Sequence, residues 1–64
     1  GAGSIYWTQK AWVEGKLNYV DRNTGSITKT YRTGGVVVGR NGETTIHVKY
    51  APAKGVIHGF PVRE

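Results

Sequence analysis

Two histidines, His47 and His58, stand eleven positions apart near the end of the chain, with Lys49 two residues after the first and Arg40 seven before it. Two imidazoles and a cation are enough for RNA cleavage by general acid and base. One ring takes the proton of a ribose 2′-hydroxyl, the other protonates the leaving oxygen, and Lys49 or Arg40 steadies the charge on the phosphorane. That chemistry needs no metal. Zinc takes three or four ligands, and the chain offers two histidines and no cysteine, so neither a metal site nor a cofactor is expected. Phosphate-binding glycine loops, HExxH helices and dinucleotide fingerprints are absent, and the glycines sit where turns are expected. The plainer reading of each histidine is a surface residue without a role.

A second set of residues points to binding without catalysis. Nine Lys and Arg against four Asp and Glu give a net charge of +5, and a pI near 9.9 favours polyanionic partners. Cations that track phosphates, interleaved with aromatic rings on which bases stack, are the pattern of single-strand binders. The candidates are Lys10, Trp12 and Tyr6 in the first segment, and Lys49 and Arg40, beside His47, in the later one. Against this, the two Trp and four Tyr are the bulk of the core material available to a chain with one Phe and no Met. The leading expectation is a non-catalytic module for RNA or single-stranded DNA. A small metal-independent ribonuclease using His47 and His58 is the alternative, and a protein-interaction or structural module excised from a larger protein is the third reading. In that third case a partner, or a second copy of the chain, would add a strand at an open sheet edge.

The elements that must position these residues are short and rich in β-branched side chains. Residues 34–50, GGVVVGRNGETTIHVKY, read as a hairpin about a type I′ turn at Asn41-Gly42. With a two-residue loop, Arg40 faces Glu43, Val38 faces Thr45, Val36 faces His47 and Gly34 faces Lys49. Val37, Ile46, Val48 and Tyr50 then form the core face, and His47 and Lys49 look outward. Residues 16–22 and 26–32 flank Asn23-Thr24-Gly25 as a second hairpin, with Leu17, Tyr19, Ile27 and Tyr31 on one face and Asn18, Val20, Thr28, Thr30 and Arg32 on the other. Lys29 falls on the apolar side, which points to an edge position or a shifted register. Residues 56–62 make a closing strand that Pro61 confines to an edge.

Residues 5–14, IYWTQKAWVE, admit two periods. As a strand, Ile5, Trp7, Ala11 and Val13 share a face. As a helix capped by Ser4, Ile5, Gln9, Trp12 and Val13 form a thin stripe. Aromatic and β-branched enrichment favours the strand. The expected fold is therefore all-β, a small antiparallel meander of five to six short strands closing into an SH3-like or OB-like barrel. The α+β alternative places an N-terminal helix on a four- or five-stranded sheet.

Sixty-four residues make one small domain near the lower limit for a self-sufficient core. Residues 1–4 read as a cloning remnant in front of a single domain over residues 5–64. No apolar run reaches the ~18 residues that span a bilayer, so no membrane partner is expected. Residues 46–61, IHVKYAPAKGVIHGFP, about a quarter of the chain, resemble the closing hairpins of small bacterial ribonuclease toxins, a resemblance without a defining motif. It implies RNA as substrate; such toxins are generally longer and carry helices ahead of the sheet, and this sequence is read as lacking them. Cold-shock domains are a weaker likeness, because their Gly-Phe-Gly-Phe aromatic pair is Gly-Ser-Ile-Thr in this sequence.

Overall fold

A computed structural model describes residues 2–63, with side chains from Ile5 onward. One helix, α1 (Ala2–Glu14), precedes four strands, β1 (Lys16–Val20), β2 (Ile27–Arg32), β3 (Thr45–Ala51) and β4 (Val56–Val62). The strands form one antiparallel sheet in the order β1-β2-β3-β4. The sheet is open and α1 covers one face, so the barrel expectation is corrected and the α+β alternative describes the architecture. Gly1 of the expected remnant lies outside the described residues, as does the Ser4 side chain proposed as a cap, while the backbone of residues 2–4 is part of α1.

Residues 5–14 are helical because a helix buries what a fifth strand would leave wet. The apolar face of the sheet presents Tyr31, Ile46, Val48 and Tyr50. Trp7, Ala11 and Gly15 recur every fourth residue along one side of α1, with Thr8 and Trp12 beside them, so a single stripe covers that face. Ala11 and Val48 are both fully buried, at 0% exposure, and Ile46 joins them; Trp7, Trp12, Tyr31 and Val38 pack around this nucleus. Trp7 lies on Tyr31 with ring centroids 6.4 Å apart, and Trp12 on Tyr50 at 5.6 Å. Ile5 and Val13, expected in the stripe, point to solvent. Thr8 rests directly on Gly59 of β4, where any Cβ would strike the threonine. Gln9, Lys10 and Ala11 are good helix formers, and Lys10 bridges to Glu14 at 3.0 Å.

The Asn41-Gly42 hairpin does not form as expected. Gly42 has φ of 83° but Asn41 is not left-handed, so the turn is not type I′. Gly42 N donates to Gly39 O at 3.3 Å and Val38 N to Glu43 O at 2.8 Å, which closes a small turn inside a loop over residues 33–44. A strand has two edges, and both edges of β3 are taken, by β2 and by β4, leaving the 36–38 run no edge of β3 to join. Gly34 and Gly35, at φ of 77° and 109°, turn the chain out of β2 before it can extend. Val37 is consequently exposed, whereas Val38 folds back onto the core. The Thr33 hydroxyl closes the loop, lying 2.7 Å from Val36 O and 2.8 Å from Thr44 O. Thr45, expected at the surface, is buried at the base of this loop. The alternation within β3 itself holds: Ile46 and Val48 face α1, and His47 and Lys49 face away.

The β1–β2 hairpin forms, its loop at residues 22–25 closed by Asp21 N to Ser26 O at 2.8 Å and Gly25 N to Asp21 O at 2.7 Å. Its expected faces are corrected by a bulge. Leu17 pairs with Lys29 but Tyr19 pairs with Thr28, so Asn18 is the extra residue and Tyr19 passes to the face away from α1. Lys29 stays on the helix side, opposite Val48. Its Nζ donates to Trp12 O at 2.8 Å and lies 4.5 Å from the Trp12 ring centroid. A cation thereby satisfies a carbonyl at the C-terminus of α1, where the helix dipole favours positive charge. Lys29→Met keeps the apolar stem and removes the charge. It is expected to lower stability by about 1 kcal/mol, read as a fall in the urea midpoint with unchanged slope.

Candidate functional site

The face of the sheet away from α1 gathers side chains from every strand. Register places Lys16 and Tyr19 (β1), Thr28, Thr30 and Arg32 (β2), His47 and Lys49 (β3), and His58 and Phe60 (β4) on it. His47 lies between Thr30 and Phe60, and Lys49 between Thr28 and His58. Phe60 meets His47 edge to face, with centroids 5.9 Å apart and planes at 73°. His47 is half-buried; Lys49, His58, Lys16 and Tyr19 are exposed. A groove of about 640 Å³ runs across the β1–β2 half, bordered by Lys16, Asn18, Thr30, Arg32 and His47, with Glu14 at its rim. No strand carries Asp or Glu: the four acids are Glu14, Asp21, Glu43 and Glu64, all in the helix, the loops or the terminus.

The expected binding residues divide between two faces. Lys49 and His47 belong to the helix-free side. Tyr6, Lys10 and Trp12 belong to α1. Tyr6 is exposed and packs edge-on against Trp7 at 5.0 Å. Lys10 lies 5.9 Å from the Tyr6 centroid, and its hydrogen bond to the Glu14 carboxylate, with the attraction of that charge, raises its pKa above the usual lysine value. Trp12 is committed to Tyr50 and Lys29. These residues border a cleft of about 900 Å³ between α1 and β4, which His58 also reaches from the sheet edge. Arg40 is exposed at the turn of residues 39–42, beside a smaller cleft with Trp7 and Val38. Among the described residues, no three of His, Cys, Asp and Glu cluster as metal ligands, and no helix is long and apolar enough to cross a membrane.

No family model matches the chain, and no curated protein or solved structure does. The site must therefore be read from its own chemistry. Sequence reasoning passed over Lys16, Tyr19, Arg32 and Phe60. Arg32 was on a face already legible as solvent-like from the alternation of residues 26–32, and Lys16 was in reach of the same argument. Tyr19 was hidden by the bulge at Asn18, which nothing in the local sequence announces. Phe60 was assigned to a closing strand whose faces depend on a partner that only the fold supplies.

Proposed function

We propose that the chain binds single-stranded nucleic acid, RNA or single-stranded DNA, across the helix-free face of its sheet. The observation that carries this reading is the sorting of charge: Lys16, Arg32 and Lys49 share one sheet face on which no strand contributes a carboxylate. A surface that served solubility alone would intersperse both signs. Tyr19 and Phe60, 61% and 46% exposed, supply rings for base stacking between the cations, each stacked base contributing ~1–3 kcal/mol. Thr28 and Thr30 add hydroxyl donors for phosphate or sugar oxygens.

Titration of labelled single-stranded RNA and DNA by fluorescence anisotropy at two ionic strengths tests it. Affinity is expected to fall steeply with salt, and Lys16→Ala and Lys49→Ala each to reduce the log–log slope by about 0.7, the value per neutralised phosphate of a single strand. Tyr6→Ala, Lys10→Ala and Arg40→Ala are expected to leave binding nearly unchanged. If those three weaken binding and the sheet lysines do not, the interface is on the helix side. Absence of binding at low salt removes the proposal altogether.

A further inference from the structure

We propose that the same face cleaves RNA, His47 and His58 acting as a general acid and base pair without a metal; the inference rests on the nucleic-acid reading above. The register makes His47 and His58 diagonal neighbours on adjacent antiparallel strands, since His47 pairs with Phe60 and Lys49 with His58. Such diagonal positions are ~7–8 Å apart, and directly opposed ones ~4.5–5.5 Å. Lys49 completes a triangle, opposite one histidine and two residues from the other on the same face. From strand positions at that spacing, two imidazoles on one face can reach the same phosphodiester through hydrogen bonds of about 2.6–3.2 Å, with the Lys49 ammonium beside its non-bridging oxygens. Phe60 holds the His47 ring from the side, while exposed His58 on the edge strand is free to turn toward the same phosphate.

The 2′-oxygen attacks phosphorus as one neutral imidazole accepts the 2′-hydroxyl proton. The bond from phosphorus to the 5′-oxygen breaks, and that oxygen takes a proton from the other, protonated ring. The products are a 2′,3′-cyclic phosphate and a 5′-hydroxyl, with one proton accepted, one given and no water consumed. Lys49 stabilises the charge that grows on the phosphorane oxygens. One ring must be neutral and the other charged, so the rate falls on both sides of an optimum. Among the described residues, Lys49 beside His47 on β3, Arg32 on the neighbouring β2, Lys16 across the sheet and Glu14 at the groove rim are charges near the pair.

The full chain is incubated with end-labelled single-stranded RNA, and with the all-deoxy strand, in excess EDTA between about pH 5 and 8. The expected result is cyclic phosphate ends from RNA, intact DNA and a bell-shaped pH profile. His47→Ala and His58→Ala are each expected to slow cleavage by about 10²–10⁴-fold while affinity for the same RNA and the far-ultraviolet spectrum are retained. Should RNA bind with the salt dependence described above yet remain whole across that range, cleavage is overturned and binding stands. Should RNA not bind, both readings fall. Cleavage that persists in identically purified His58→Ala protein, or that EDTA stops, also overturns the inference.

Discussion

Ile46→Ala is expected to leave the chain largely unfolded at room temperature. Three described apolar residues, Ala11, Ile46 and Val48, are buried, and Ile46 is the largest of them. Truncating a buried isoleucine costs about 2–5 kcal/mol, the transfer term plus the cavity that surrounding atoms cannot refill. A single core in a domain of this size supplies about 3–5 kcal/mol in all, so the two numbers are comparable. Far-ultraviolet circular dichroism against urea gives the measurement, with Ile57→Ala as the reference. Ile57 is 39% exposed on the edge strand and its loss is expected to shift the midpoint far less. Equal effects of the two substitutions would show that the core is centred elsewhere.

The parts of the fold legible in the sequence were those set by short-range chemistry. The β1–β2 hairpin, the edge strand ending near Pro61 and the alternation of Ile46, His47, Val48 and Lys49 each follow from neighbouring residues alone. Competition between distant segments decided the rest. The 36–38 valines have strand propensity and a turn signal behind them, yet β2 and β4 hold both edges of β3. Residues 5–14 carry enough aromatic and β-branched side chains for a strand, but the exposed face of four strands is what selects a helix there. Lys29 shows the same principle in one residue. Its position among apolar neighbours is an anomaly until α1 ends above it and offers a carbonyl and a ring. The composition of the helix-free face was legible only as far as the strands were, so the outward places of His47 and Lys49 could be read and those of Tyr19 and Phe60 could not. Tyr6, Lys10 and Trp12 lie apart from His47 and Lys49 because α1 packs on the opposite face of the sheet.

Gly15→Ala is expected to lower stability by about 1–3 kcal/mol or more through steric overlap, although the position is only half-buried and alanine is the better helix former. Gly15 has no unusual φ, so conformational freedom is not its role. The constraint is space: its N–H donates to Ala11 O at 2.9 Å, and a Cβ there would collide with that same carbonyl oxygen while lying 3.1 Å from Thr30 O. Both obstacles are backbone, and neither can turn aside as a side chain can. The methyl would therefore push the end of α1 off β2, loosening the contact of Trp12 with Lys29 and Tyr50. Gly39 offers the contrast, because part of what blocks a methyl there is the Glu43 carboxylate, the movable end of a side chain, alongside Pro61 Cβ at 2.9 Å. Gly39→Ala should accordingly be milder, although the proline must also shift. Urea midpoints of the two variants, with tryptophan fluorescence to follow the helix, decide it. An unchanged or raised midpoint for Gly15→Ala would mean that the junction of α1 and β1 is looser than 3.1 Å from Thr30 allows. Thr30 stands opposite His47 in the sheet, so whatever folded fraction the variant keeps should also bind RNA less well if the shift at Gly15 propagates through β2, and equally well if it is absorbed by α1.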